Sequence, residues 1–448
     1  MLQLGAVVLA AALILAPLGA RSADLVLWWE QGFYPQEDEA LAEIVAAFEQ
    51  ETGKQVELVQ PAPDEIHDQA QAALEAGQPP DFLFSLFGES KIPQWAYEDR
   101  LADLDGVLGP LLELFDADAI EVSTYLNART GRRGLYALPM GRNSNHVHVW
   151  RNLLERAGFT LADIPKQWEA FWAFWCDEVQ PAVRRALGRD DVWGVGLPMS
   201  AAATDTHDQL VQFQLAYEAP WLSRDGRLQV DDPAVREGMV KALAAYTAIG
   251  RQGCTPHDAV GWTNRDNNKA FLAQTIVMTL NTTLSIPAAL RAERPDDYHR
   301  NAATIDWPAG AGGQPLVIGG GAIARAVVFK AGRNRALADE FVRFLVGDGW
   351  LAHWLTFAGD RWLPPMRRLV EQPFWLDSSD PHQMHAAVQI LTWPHQLDRP
   401  VRGNEGPSSR VWEEHVWGRA VHRVVTEGIT PEQAVDEAIA RIKQILSE

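Results

Sequence analysis

Asp24-Leu-Val-Leu-Trp-Trp29, then Leu41, Ile44, Val45 and Phe48, then Gln55-Val-Glu-Leu-Val59 decide the fold. The first run is apolar from Leu25 onward and reads as a buried strand. Gly32 and Pro35 break it. The four apolar residues that follow recur at helical spacing, and Gly53 closes that helix. The last run alternates and reads as a second strand. Strand, helix and strand in close succession make a βαβ unit, with a parallel pair and the helix on one face.

The pattern continues outward. Residues 64–76 read as a helix ending at Gly77, and Phe82-Leu-Phe84 as a short buried strand after Pro79-Pro80-Asp81. Leu135-Tyr-Ala-Leu138, Val147-His-Val-Trp150, Thr275 to Leu280 and Ala322 to Phe329 read as further strands. Trp168, Phe171, Trp172 and Trp175 fall on one helical face and are expected to pack in a core. Asp232-Pro233 supplies an N-cap and a proline at N1. Thr430-Pro-Glu-Gln433 is a capping box that opens an amphipathic C-terminal helix. Leu337, Phe341, Phe344 and Leu345 mark a helix ended by Gly347. Alternating strands and helices throughout predict α/β domains with parallel sheets.

Composition sets bounds on function. The 448 residues exceed what one core needs and suggest two or three domains. Lys plus Arg is 39 and Asp plus Glu is 59, a formal charge of −20, which argues against nucleic acid or an anionic membrane as partner. Residues Leu4 to Leu18 form an uncharged apolar run, too short for a comfortable bilayer span, and Ala20-x-Ser22 gives a small-residue cleavage site. Residues 1–22 therefore read as a signal peptide, with cleavage after Ser22. Export would permit a Cys176–Cys254 disulfide, which sequence alone leaves open.

The chain carries no G-x-S-x-G elbow, no G-x-x-x-x-G-K-[ST] phosphate loop and no H-E-x-x-H helix. Gly319-Gly-Gly321 lacks the Lys and Ser/Thr of a phosphate cradle and reads as a turn between lobes. His146-Val-His148 places two imidazoles on one strand face, yet without further ligands at metal spacing a structural or surface role is expected. The strand ends are more informative, because ligands of open α/β sheets sit outside the carboxyl ends of strands. Trp28, Trp29 and Glu30, Ser85 to Glu89, Asn281-Thr282-Thr283, and Met140 through Arg142, Asn143 and Ser144 all occupy such ends. A sugar needs that mixture: C–H faces stack on indoles, and hydroxyls pair with groups that donate and accept.

The chain resembles the extracellular solute-binding proteins of ABC importers, in the carbohydrate-binding group that includes the maltose-binding protein. The resemblance covers the mature chain in order. Leu25-Val-Leu-Trp-Trp29 with Ile44-Val-Ala-Ala-Phe-Glu-Gln-Glu-Thr-Gly-Lys54 is similar to the family's opening strand, helix and "F-E-x-x-T-G" turn. Ala76-Gly-Gln-Pro-Pro-Asp81 resembles its "G-x-x-P-D", and Leu135-Tyr-Ala-Leu-Pro-Met140 its "L-Y-A-L-P" hinge segment. Trp150-Arg-Asn-Leu-Leu-Glu-Arg-Ala-Gly158, Pro165-Lys-Gln-Trp-Glu169, Ala270-Phe-Leu-Ala-Gln-Thr-Ile-Val-Met278 and Ala338-Asp-Glu-Phe-Val-Arg-Phe-Leu345 follow in the family's order.

The resemblance implies two α/β lobes of the periplasmic-binding-protein fold, joined by crossing hinge strands, with ligand in the interlobe cleft. Crossings are expected near 140–144, 316–321 and 355–362. The N-lobe would comprise 24–140 and 320–355, and the C-lobe 144–316 and 360–448. The expected ligand-binding residues are Trp28, Trp29, Glu30, Ser85, Glu89, Arg142, Asn143, Ser144, Asn281, Thr282, Gly320, Gly321, Arg361, Trp362, Arg410 and Trp412. Trp28 and Trp29 would stack on ligand, and Arg142 or Arg410 would clamp it. Ser85, Glu89, Asn143 and the Asn281-Thr282-Thr283 loop, with Leu284 in the place of an aromatic, depart from the maltose pattern and imply a different sugar.

The implied function is a monomeric periplasmic receptor that captures a sugar or oligosaccharide and delivers it to the transmembrane subunits of an ABC permease. No catalytic residue, metal or cofactor is expected, and no nucleic-acid partner. The rival readings are a receptor for a polyamine, sugar acid or phosphoester, a glycan-active enzyme, and a sensory receptor presenting bound sugar to a membrane protein.

Overall fold

A computed structural model describes residues 23–447, apart from 64, 86–90, 143–144, 224–225, 317–322, 358–360 and 393–405. The leader, Glu89, Asn143, Ser144, Gly320 and Gly321 thus lie outside the described residues.

The first strand and its neighbours assemble as their pattern predicts. Strand β1 (Leu25–Trp29) pairs in parallel with β2 (Val56–Val59) and β3 (Phe82–Ser85). Leu25, Leu27 and Trp29 are fully or nearly buried on one face, while Val26 and Trp28 on the other are partly covered. The helix Pro35–Thr52 makes the crossover: Pro35 pre-sets its first turn, and Gly53 ends it at φ 67° with its N–H on the Glu49 carbonyl. Its buried stripe includes Phe48, whose ring lies 5.2 Å from both Phe341 and Phe344 of the helix Arg335–Gly347.

A small hairpin, β4 (Thr124–Asn127) with β5 (Arg132–Leu135), precedes β6 (Leu138–Arg142). The second sheet contains β7 (His146–Trp150), β8 (Trp193–Gly196), β9 (Ile276–Asn281) and β10 (Ala302–Ile305) in the order β10-β7-β9-β8. The chain then returns as β11 (Ile323–Val328), completing a first sheet ordered β2-β1-β3-β11-β6. Each sheet is covered by helices and centres its own hydrophobic cluster.

The expectation of purely parallel sheets is corrected. Strand β11 runs antiparallel to both β3 and β6, and in the second sheet only the β8–β9 pair is parallel. A strand that returns from the other lobe enters the sheet from the opposite end, so it need not follow the right-handed βαβ rule. The capping box is formed: Thr430 N–H donates to Gln433 Oε1 (3.1 Å) and Gln433 N–H to Thr430 Oγ1 (3.2 Å). Asp232 caps the helix Pro233–Arg251 by accepting from Ala234 N–H. The Trp168/Phe171/Trp172/Trp175 stripe is buried in the second-lobe core. Cys176 and Cys254 are disulfide-bonded, with Cα atoms 5.2 Å apart.

The segment expected to enter the C-lobe at residue 360 stays on the first lobe for longer. Leu363 exchanges backbone hydrogen bonds with Arg142, extending the edge of the first sheet. Trp362, Leu363, Met366, Val370 and Trp375 belong to the first-lobe hydrophobic cluster.

Candidate ligand cleft

A cavity of about 410 Å³, including its open mouth, lies between the lobes. The first lobe contributes Phe33, Pro63 and Arg361. The second contributes Asp205, Asn264, Arg265 and Asn268, with the segment Asn281 to Thr283 and Ser285.

The first-lobe wall is built on the turn after β1. Gly32 N–H donates to Asp38 Oδ1 (2.8 Å), and a Cβ on Gly32 would meet the Glu37 Cβ at 2.8 Å, so only glycine allows this turn to fold back. Beside it the buried Arg361 guanidinium donates through Nη1 to both Glu37 oxygens (3.0 and 3.1 Å) and stands 3.9 Å from Glu30. Its face covers Trp362 at 5.0 Å and Phe33 at 5.6 Å. Burial pushes the Glu37 carboxyl up, and the Arg361 charge partly counters it. Burial also drives the Tyr34 hydroxyl well above its ordinary value, aided by the Glu37 charge.

The second-lobe wall is a network of amides at the end of β9. Asn281 Nδ2 donates to Ser285 Oγ (2.9 Å) and to the Thr283 carbonyl (3.2 Å). Asn268 Nδ2 donates to the same hydroxyl (3.0 Å), while its buried Oδ1 accepts from no protein group. Asn264 Oδ1 accepts from Asp205 N–H (3.1 Å), which fixes the buried Asp205 at the cavity wall. Arg265 reaches across to place its guanidinium 5.4 Å from the Phe33 centroid. Two further contacts join the lobes: Leu284 N–H donates to the Arg361 carbonyl (3.3 Å), and Lys91 ion-pairs with Glu413.

Of the expected binding residues, Asn281, Thr282 and Arg361 line this cavity. Glu30 is buried one step behind Arg361. Trp29 points the other way, into the core, 4.6 Å from Phe84 and 5.3 Å from Trp354. Trp28 packs partly buried against the cluster around Ile66, Leu83 and Trp95. Trp362 is buried over Gly141, and Trp412 lies in the second-lobe core, 5.1 Å from Trp221 and 5.5 Å from His207. Trp29, Trp362 and Trp412 are packed among core residues and do not line this cavity. Arg142 is committed within its own lobe, with two bonds to Asp118 (2.7 and 2.8 Å) and one to Asp116 (3.1 Å). Ser85 is buried and shares a hydrogen bond with His67 (2.9 Å). Arg410 stands 3.6 Å from Glu414 on the helix Ser409–Glu413 side of the second lobe.

Phe33, Asp205, Asn264, Arg265 and Asn268 escaped the sequence reading. The polar run Thr263-Asn-Arg-Asp-Asn-Asn268, immediately ahead of the apolar Ala270-Phe271, was the available signal. Among the described residues no group of three or more His, Cys, Asp or Glu side chains is arranged to hold a metal ion. None of the described helices is long and apolar enough to cross a membrane.

Two lobes closing on a polar cavity define a solute-binding architecture. The chain belongs to the bacterial extracellular solute-binding protein family, whose pattern matches residues 43–383. No curated protein matches it in sequence. In structure it is similar to an ABC transporter solute-binding protein from Thermotoga lettingae bound with α-D-tagatose, at 19% identity and TM-score 0.77 over 94% of this chain and 99% of that one. It is also similar to a sugar transporter from Arthrobacter chlorophenolicus with bound laminaribiose, at 14% identity and TM-score 0.75 over 94% and 98%. The GacH receptor of Streptomyces glaucescens, solved unliganded and with acarbose, matches at 16% identity and TM-score 0.73 over 94% and 98%.

Proposed function

We propose that this protein is the periplasmic receptor of an ABC importer and that it captures a neutral sugar or oligosaccharide between its lobes. The observation that carries the reading is the cavity wall. Amides and hydroxyls from one lobe face a guanidinium and an aromatic ring from the other. Hydroxyl groups both donate and accept, so they suit the Asn268 and Asn281 network. The Phe33 ring suits a C–H face. Arg361 is matched by Glu37 and Glu30, and the remaining charged lining residues are one acid, Asp205, and one base, Arg265, so the lining carries balanced charge and suits a neutral ligand better than an acid or a polyamine.

Residues 1–22 direct export and are removed. The closed receptor presents both lobe surfaces to the permease subunits and performs no chemistry on its cargo. Calorimetric titration of refolded, ligand-stripped protein with mono- and disaccharides, polyols, sugar acids and polyamines tests the reading. Saturable binding of a neutral sugar or polyol is expected, and binding confined to acids or polyamines would overturn it.

A further inference from the structure

Four histidines gather beside β7 and β10 of the second sheet. His146 and His148 stand on β7, with ring centroids 6.0 Å apart. Thr304 and Asp306 lie at the end of β10. His382 and His385 belong to residues 363–392, a segment that acts as a strap. One end of the strap is fixed to the first lobe by the Leu363–Arg142 pairing, by Asp116 N–H on the Pro365 carbonyl (3.0 Å) and by Arg367 N–H on Asp116 Oδ1 (2.9 Å). Towards its other end Ala386 and Ala387 still pack in the first-lobe cluster, while the histidines and the Tyr298–Asp380 hydrogen bond tie it to the second lobe.

The hydrogen bonds of that cluster have one consistent polarity. His382 Nε2 sits 3.0 Å from the Tyr298 carbonyl and must donate to it. His382 Nδ1 is then an acceptor, and Thr304 Oγ1 (2.7 Å) donates to it. Thr304 in turn accepts from His148 Nδ1 (3.0 Å). This polarity requires a neutral His382 ring. A proton on His382 Nδ1 would set two N–H donors against the Thr304 hydroxyl and remove that hydroxyl's own acceptor. His146, 1% exposed, has no protein partner at either ring nitrogen.

Burial is the main obstacle to charge here, while the Tyr298 carbonyl and Asp380 favour a proton on His382 and Asp306 favours one on His385. Asp380 is occupied by the Tyr298 hydroxyl (2.5 Å) and by the His382 and Gln383 N–H groups. Asp306 stands 3.3 Å from His385. Arg151 opposes a charge on His382, and Arg291 stands 3.9 Å from Asp380. His299 packs edge-on to Tyr298, and only the Thr283 carbonyl favours a proton on His148.

We infer that the four histidines are an acid-sensitive clasp, which holds the strap to the second lobe at neutral pH and releases it on acidification, loosening lobe closure. Burial holds His146 at about 3 and His382 at about 4, whereas released rings would titrate near 6.5. Release therefore takes up protons between those limits, and acid favours it. Weaker ligand retention at low pH follows only if the carbohydrate-receptor reading holds. The strap's release does not depend on that reading.

The test is backbone hydrogen exchange on the mature, ligand-free protein at pH 7.5 and 5.0, corrected for intrinsic rates. The expected result is a tenfold or greater loss of protection in residues 378–392 at pH 5.0, with β1 and β3 unchanged. H146L/H382N should abolish that pH difference. If this pair fails to fold, H385N, at a partly exposed ring, should reduce it. Equal protection at both pH values would overturn the clasp. So would a uniform loss across both lobes, or a pH difference that persists in the variants.

Discussion

The Arg265 guanidinium lies 5.4 Å from the centre of the Phe33 ring, and the two residues belong to opposite lobes. Arg361 covers the same ring from its own lobe at 5.6 Å. Phe33 is thus the point at which lobe closure and the cavity wall meet. Replacing Phe33 by Ala removes a cross-lobe contact and a ligand platform together. Calorimetry should show a roughly 5- to 30-fold rise in Kd, equivalent to about 1–2 kcal/mol. The melting temperature of the unliganded protein should change little.

Arg361 answers two buried carboxylates, Glu37 and Glu30. Arg361→Met would strand them, at a cost of about 3–5 kcal/mol in chemical denaturation. Adding Glu37→Gln to that variant should recover part of the loss. Equal losses in the single and double variants would show that the pairing is not the cause.

Trp29 packs on Phe84 and Trp354 inside the first lobe. Trp29→Ala should destabilise that lobe by about 3–5 kcal/mol. Ligand affinity measured well below the melting temperature should stay within about twofold, since the indole does not line the cavity.

The Cys176–Cys254 bond closes a loop of 78 residues within the second lobe. Its removal by Cys176→Ala with Cys254→Ala should cost about 2–5 kcal/mol, read as a lower denaturation midpoint. Thiol counting under denaturing conditions should find no free cysteine in the exported protein.

Buried His67 is held at about 4 by desolvation and the nearby Lys91 charge. With His146 at about 3 and His382 at about 4, the unfolded chain binds protons that the folded one refuses. Stability is therefore full above about 6.5 and falls as pH drops toward 4, by up to about 1.4 kcal/mol per pH unit for each ring. Melting curves between pH 7.5 and 4.5 should show that decline, and a flat profile would contradict it.

Much of the fold was legible because its signals are local. The Leu25–Trp29 run, the Gly53 stop and the Thr430/Gln433 box are written in neighbouring residues, and each forms its expected element. The Leu135–Leu138 strand was misplaced: β5 ends at Leu135, and β6 begins at Leu138. An apolar run cannot show that the chain turns between two strands. The site was less legible. A tryptophan at a strand end can face either the core or the cleft, and the alternation of a buried β1 put Trp29 inward. Arg142 looked available because its partners, Asp116 and Asp118, are more than 20 residues away in sequence. Arg265 meets Phe33, and Asn268 joins it around one cavity, only where the two lobes face each other, a relationship that no local pattern encodes.

The most direct test is a thermal-shift titration of the refolded protein with a neutral sugar panel, run in parallel on Asn268→Ala. Asn268 holds a buried acceptor at the cavity wall. A ligand that binds the folded state raises the melting temperature by mass action. The account predicts a rise with one class of neutral sugar or polyol, and loss of that rise in the variant. A rise that the variant keeps in full, or no rise with any neutral sugar or polyol, would contradict it.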